Sequence, residues 1–179
     1  MNPITLHVDR NTTVWQCGCG AASEGMDYSN ICLTYEVIMI GPGNGGKYPS
    51  CLTSPEFEAA SINVNSARRY VIRIAKEVED GAIVVLRHGT SIVLGVGVVV
   101  GGYQYYPNFK DGRFSDIRRW NVCHCRRVRW LWSGRKDFNV RTMPMERLSK
   151  LWKKEVRDWL GTIRYLESEK TRPLRTLPT

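Results

Sequence analysis

Aromatic residues stand beside basic residues where predicted strands meet loops, and this pairing suits the binding of nucleobases. The aromatic candidates are Trp15, Tyr103, Tyr105, Tyr106 and Trp120. An aromatic ring stacks on the face of a base, and each stack is worth about 1–3 kcal/mol. A small aromatic cage also holds the methyl group of an extruded base while polar groups contact its edge. The clustering indicates a binding site, although any two of these rings could equally belong to the core.

Arginines accompany the last of these aromatic residues. The candidates for contacts with flanking phosphates are Arg118, Arg119, Arg126, Arg127 and Arg129. Three of them fall within four positions of a predicted strand, where unpaired buried charges would be costly. We therefore predict that these arginines position a nucleic-acid backbone.

The charge distribution agrees with a polyanionic partner. Residues 1–109 contain 7 Lys/Arg and 9 Asp/Glu, whereas residues 110–179 contain 19 and 8, a net charge of +11 for that part. A one-sided positive surface attracts polyanions, and phosphate contacts release counterions. The alternative is a basic, solvated surface that serves only solubility.

Six cysteines raise the question of a metal site: Cys17, Cys19, Cys32, Cys51, Cys123 and Cys125. Zinc sites more often space their cysteines by two to four residues than by one. In an extended strand, the C-x-C spacing merely places two small side chains on one face. We predict buried thiols and no cofactor, with a metal site around Cys123, His124 and Cys125 as the alternative.

Signatures of catalysis are missing from the sequence. The glycine-rich run from Gly41 to Lys47 lacks the Lys-Ser/Thr ending of a phosphate-binding loop, and neither a nucleophile elbow nor an H-E-x-x-H motif occurs. Because His124 stands alone among arginines, we interpret it as a hydrogen-bonded structural residue. The segment is therefore predicted to bind rather than to catalyse.

The elements that must position these residues are those of a mixed α+β fold. Short apolar runs predict strands at 14–17, 37–40, 82–87, 91–100 and 123–132, and apolar residues at helical spacing predict helices at 28–35 and 66–78. Ser54 and Pro55 suit the start of another short helix. Gly95 and Gly97, two residues apart on one strand, indicate strong curvature or close packing, as in a small barrel. An apolar stripe after Pro144 predicts a long C-terminal amphipathic helix.

The chain is expected to form one nucleic-acid-binding domain over residues 1–168. Residues 169–179 have no periodicity and contain two prolines, so they are predicted to be a linker to a further C-terminal domain. The longest apolar run is nine residues, Ile92 to Val100, and the N-terminus does not resemble a signal peptide. We therefore expect a cytoplasmic protein without a membrane partner.

Two segments resemble EVE-like domains of the PUA superfamily. The stretch from Asp80 to Tyr103 is similar to their two central strands, and Trp120-Asn-Val-Cys-His-Cys-Arg-Arg-Val-Arg-Trp130 resembles their "W-D-L-x-H-x-R-R-V-x-W" strand. Weaker similarity around Val14-Trp15 and Ile38 to Gly41 extends the resemblance over residues 12–132. It implies a curved, barrel-like sheet of about five or six strands flanked by helices.

EVE-like domains are similar to YTH domains, which bind N6-methyladenine, and occur in archaeal McrB-type restriction proteins. The resemblance implies a pocket for one flipped, methylated base, bordered by Trp15, Tyr103 and Trp120, with Tyr105 as a further candidate. Asn121 stands where an acidic residue is usual and would offer an amide, which both donates and accepts, to the base edge. Pro42 stands where many relatives have an aromatic residue.

Together these features predict a DNA-binding domain that reads a methylated base, N6-methyladenine in preference to 5-methylcytosine. Its parent would be a McrBC-type restriction GTPase acting in antiviral defence, oligomeric through a further domain and paired with a nuclease subunit. The alternative is a PUA-like module that binds modified or single-stranded RNA. A small enzyme or metal protein built on the cysteine clusters is the third hypothesis.

Overall fold

A curled, half-barrel sheet of six strands organises this chain, in a computed structural model that describes residues 2–21, 26–61, 63–107, 122–138, 143 and 145–177. Ten strands are described: β1 (Ile4–Thr5), β2 (Val14–Gly18), β3 (Gly20–Ala21), β4 (Met26–Asp27), β5 (Val37–Ile40), β6 (Ile83–His88), β7 (Ile92–Tyr105), β8 (His124–Asp137), β9 (Leu148–Lys150) and β10 (Arg164–Tyr165). The large sheet has the order β5-β8-β7-β6-β2-β9. Among its described strand pairs, β2 with β6 is the parallel one. The predicted mixed α+β class with a curved sheet is confirmed.

Short helices surround the sheet. They are α1 (Ser29–Tyr35), α2 (Pro55–Ala59), α3 (Val64–Ile72), α4 (Lys154–Leu160) and α5 (Glu167–Thr171). A 3-10 turn at Ser50–Thr53 precedes α2, and a π-helical turn at Arg73–Glu77 continues α3. As predicted, Ser54 caps α2 by accepting a hydrogen bond from the Glu56 N–H, and Pro55 takes the first helical position.

The sheet is buried on both faces along β6, whose residues Ile83 to Leu86 are all apolar. Along β6, Val84 and Leu86 belong to one core cluster, while Ile83 and Val85 belong to a second cluster. Successive side chains of a strand point to opposite faces, so a continuous apolar run fits a sheet buried on both sides.

Curvature comes from the pairing of β7 with β8. Its register shifts at three places, between Val93 and Gly95, between Val96 and Gly97, and between Val100 and Gln104. A Cβ atom on Gly97 would lie 2.5 Å from the carbonyl oxygen of Arg129, a distance that no side chain tolerates. The glycines therefore permit a close approach of the two strands, as the sequence predicted.

The predicted long C-terminal helix is wrong. Leu148–Lys150 instead forms edge strand β9, whose main chain pairs with β2. Helix α4 has only seven residues, Lys154–Leu160, and is capped by Gly161. The apolar stripe is divided accordingly, since Leu148 enters one core cluster and Leu151 the other. Trp152, on the predicted stripe, is 68% exposed. Pairing with the open edge of β2 satisfies main-chain groups over a stretch whose side-chain spacing alone also fits a helix.

The segment predicted as a linker lies against the rest of the protein up to its last described residue. Residues 167–171 form α5, and Arg172 pairs with Glu36 at the end of α1. Whether a further domain follows stays a prediction. Within the part of the chain that the structure describes, no helix combines the length and the apolarity needed to cross a membrane.

An aromatic cleft beside the β7–β8 bulge

The candidate site begins at a bulge near the end of β7. Val100 pairs with Arg127 and Gln104 with Cys125, so three residues of β7 stand opposite a single residue of β8. Gly101 has a φ of +80°, its N–H donates to Asp80 Oδ1 at 2.6 Å, and its carbonyl accepts from Arg126 at 2.9 Å. A bulge of this kind re-aims the side chains that follow it.

Side chains that follow the bulge contribute to the lining of an open cleft of about 540 Å³. Its lining residues are Lys47, Tyr48, Tyr103, Gln104, Tyr105, Tyr106 and Leu177. All four tyrosines are half-buried. The volume lies within the usual range of small-ligand pockets, roughly 300–1,000 Å³.

Tyr103 is fixed by a chain of hydrogen bonds beneath the cleft. The main-chain N–H of Tyr48 donates to the Tyr103 hydroxyl at 3.1 Å, and that hydroxyl lies 2.8 Å from Nδ1 of His124. Nε2 of His124 lies 2.9 Å from the carbonyl oxygen of Pro42. Because a carbonyl only accepts, we assign the imidazole proton to Nε2, so Tyr103 donates to Nδ1. Burial raises the pKa of Tyr103 to about 12, which keeps this donor protonated.

Tyr105 is held in a similar way. Its hydroxyl donates to the carbonyl of Gly43 at 2.7 Å, and its ring centroid lies 5.4 Å from that of His124. Burial raises the pKa of this tyrosine as well. The hydroxyls of Tyr103 and Tyr105 therefore tie β7 to the glycine-rich loop, and the aromatic rings are what the cleft offers to a ligand.

Positive charge lies at the rim of the cleft. Lys47 lines it and is exposed, and Nζ of the exposed Lys76 lies 5.7 Å from the centre of the Tyr48 ring. Two lysines beside an aromatic cleft can contact the phosphates on either side of a bound base.

Trp15 lies elsewhere. Its side chain is 1% exposed and borders two other cavities of about 340 and 330 Å³, with Nζ of Lys150 lying 5.7 Å from its ring. Its indole N–H has no hydrogen-bond partner among the described residues. Of the predicted pocket residues, the structure thus brings Tyr103 and Tyr105 to the cleft and places Trp15 at the other cavities. Trp120 and Asn121 lie outside the described residues.

The predicted phosphate-binding arginines of β8 point into the protein. Arg126 is 7% exposed and donates to the carbonyls of Ile74, Ala75 and Gly101 at 2.8–3.0 Å. Arg129 is equally buried and donates to the Lys170 carbonyl.

Arg127, the remaining predicted arginine of β8, is half-buried and donates to the carbonyls of Glu36 and Arg175. All three side chains thus support main-chain groups. Arg118 and Arg119 lie outside the described residues.

All six cysteines are buried as thiols. Burial raises the pKa of Cys17 and of Cys125 to about 12, and those of Cys19 and Cys32 well above the ordinary thiol value. Raised pKa values keep the thiols protonated and unreactive. Among the described residues, no group of three or more potential ligands is placed to hold a metal ion.

Several residues that line the cleft were not predicted from the sequence, namely Lys47, Tyr48, Gln104 and Leu177, and neither was Lys76 beside the Tyr48 ring. Lys47 and Tyr48 follow the glycine-rich loop directly, which is the one local signal that could have drawn attention to them. Gln104 stands between Tyr103 and Tyr105 in the sequence, whereas Lys76 and Leu177 come to this region through tertiary packing alone.

Fold and cleft together define a mixed α+β protein in which a curled sheet carries an aromatic cleft. Residues 15–151 match a family described as a domain of unknown function (DUF8426), and the chain belongs to that family. Neither a curated protein nor a solved structure matches the chain.

Proposed function

We propose that this domain is a non-catalytic, PUA-like reader of modified DNA that holds one extruded, methylated base in the tyrosine-lined cleft. The observation that carries the proposal is the convergence of four half-buried tyrosines on one open cleft. N6-methyladenine is favoured over 5-methylcytosine.

Stacking supplies the affinity for the base. Because the hydroxyls of Tyr103 and Tyr105 bond to the protein itself, their rings are held rigidly and lose little freedom when a base enters. A rigid aromatic surface excludes water and suits the face of a purine and its methyl group.

Gln104 supplies a polar group for the base edge. It lines the cleft and is exposed, and its amide both donates and accepts. A glutamine amide matches the N6 and N7 positions of adenine. Asn121 keeps its proposed role as a second amide at that edge, and Trp120 its role as a further wall.

The flanking phosphates are proposed to lie against Lys47 and Lys76. Arg118 and Arg119 keep their proposed phosphate contacts, whereas Arg126, Arg127 and Arg129 are assigned to the fold. In the wider proposal the domain targets a cytoplasmic McrBC-type restriction GTPase, with a nuclease subunit, to methylated DNA.

The test is a binding panel of duplexes with one sequence that carry N6-methyladenine, 5-methylcytosine or no modification, with matched RNA as competitor. We expect the N6-methyladenine duplex to bind about fourfold more tightly than the unmodified one, since a single buried methyl group is worth roughly 0.8 kcal/mol. Tyr105→Ala should remove this preference, and Trp152→Ala, which truncates an exposed aromatic residue outside the cleft, should retain it. Equal binding of all three duplexes refutes the proposal, and tighter binding of RNA favours the RNA-binding alternative.

A further inference from the structure

The C-terminal segment 172–177 is anchored to a buried carboxylate. Glu36 is 1% exposed and has a left-handed backbone with a φ of +55°. One carboxylate oxygen accepts from the guanidinium of Arg172, and the other accepts from the main-chain N–H of Arg175 at 2.7 Å. A buried carboxylate is tolerated only when it is paired, so the segment and Glu36 stabilise each other.

Further contacts fix the path of the same segment. Arg127 of β8 donates to the carbonyl of Arg175, and the guanidinium of Arg175 donates to the Thr34 carbonyl at 3.4 Å. Just before the segment, Arg129 donates to the carbonyl of Lys170. The chain is therefore held on both sides of Arg172 as it runs along β8.

This path brings Leu177 to the aromatic cleft. Leu177 packs against the core cluster that contains Val37 and Cys125, and it borders the cleft together with the four tyrosines. Of the described residues that line the cleft, Leu177 is the one with a purely aliphatic side chain. The cleft stays open with this leucine in place, so the side chain forms a wall and does not fill the space.

We propose that segment 172–177 completes the binding site, with Leu177 as the specificity-determining wall that contacts the methyl group of the base. Glu36 is the positioning residue that holds the wall in place. The inference rests on the proposed function, because it assigns a residue to the same cleft. It predicts that the preference for a methylated base depends on a leucine far from the tyrosines in sequence.

The anchor is tested without nucleic acid, by hydrogen exchange of the whole chain. We expect the Arg175 amide to exchange at least tenfold more slowly than in an unstructured peptide, because it donates to Glu36. Glu36→Gln should remove most of that protection. An Arg175 amide that exchanges at the unprotected rate in the wild-type protein overturns the inference, whatever the binding results are.

The wall is tested by the ratio of the dissociation constants for unmodified and N6-methyladenine duplexes. Leu177→Ala should lower this ratio by about twofold to fourfold, which is part or all of the preference expected from one buried methyl group. Leu177→Met should retain it. Leu174→Ala is the matched control, since Leu174 lies in the same segment but is not among the cleft-lining residues, and it should leave the ratio unchanged.

Two outcomes contradict the wall. An unchanged ratio in Leu177→Ala shows that the leucine does not contact the methyl group, and tighter binding of both duplexes shows that it obstructs the cleft. If the wild-type protein binds neither duplex, the proposed function fails and the wall fails with it. Protection of the Arg175 amide still reports on the anchor in that case, so the two failures are distinguishable.

Discussion

The hydroxyl of Tyr103 lies 2.8 Å from Nδ1 of His124, and the opposite ring nitrogen of that histidine lies 2.9 Å from the carbonyl oxygen of Pro42. This relationship joins the β7 bulge, the first residue of β8 and the glycine-rich loop through one buried imidazole. The three parts of the cleft are thereby held in one arrangement, although they are far apart in sequence.

Replacing Tyr103 by phenylalanine should lower the free energy of unfolding by about 1–3 kcal/mol, because the Tyr48 N–H and Nδ1 of His124 both lose this partner. Urea denaturation measures the change. Tyr70→Phe, at a half-buried tyrosine that does not line the cleft, is the control and should be close to neutral. A Tyr103→Phe protein as stable as the wild type would show that the hydrogen-bond chain contributes nothing to the fold.

Alkaline pH should destabilise the protein over a defined range. Burial raises the pKa of Tyr103 from 10.0 to about 12, and those of Cys17 and Cys125 from 9.0 to about 12. A raised pKa in the folded state means that the folded protein favours the neutral form, so the associated stability is complete below about pH 9 and is lost as the pH rises towards 12. Denaturation midpoints across this range measure the loss, which should be smaller in Tyr103→Phe than in the wild type. A midpoint that stays constant up to pH 12 would contradict the assignment.

Gly97→Ala should destabilise the protein by about 1–3 kcal/mol, the usual cost of forcing atoms into a packed interior. The new Cβ would lie 2.5 Å from the carbonyl oxygen of Arg129 and 2.9 Å from the ring of Trp130, and the first of these groups is main chain. Gly102→Ala on the same strand is the matched control, because a Cβ atom at that position would have no described atom within 4 Å. Thermal unfolding of both variants separates the two, and equal stabilities would mean that the strands can separate at little cost.

Substitutions of Arg126 and Lys47 should change different properties: the stability of the fold for Arg126, and the salt dependence of duplex binding for Lys47. Arg126→Lys loses the fork that reaches three carbonyls and should cost about 2–4 kcal/mol of stability. Lys47→Gln should leave stability unchanged and lower the slope of log K against log salt for duplex binding by about 1. Chemical denaturation and salt titrations measure the two effects. Unchanged stability in Arg126→Lys would show that its hydrogen bonds to carbonyls do not support the fold, and an unchanged salt slope in Lys47→Gln would show that this lysine does not contact phosphate.

Elements whose signals are local could be predicted from the amino-acid sequence. Runs of apolar residues specify β2, β5 and β6, since such runs bury both faces of a strand, and Ser54 with Pro55 specifies the start of α2 through a local cap. Tyr103 and Tyr105 were also singled out from the sequence, through the clustering of aromatic with basic residues and the resemblance to EVE-like domains, and both line the cleft.

The C-terminal strand β9, the direction of the β8 arginines and the composition of the cleft depend on contacts between distant parts of the chain. The stretch from Leu148 to Lys150 became a strand because the edge of β2 was open to it, and Arg126 turned inward because main-chain carbonyls of the π-helical turn and of Gly101 needed donors. The cleft joins Tyr48 to Tyr103 and Leu177, residues separated by tens of positions whose meeting no local pattern encodes. Periodicity reports which face of an element is apolar, whereas hydrogen-bond satisfaction and packing across the whole chain select the neighbours of that face.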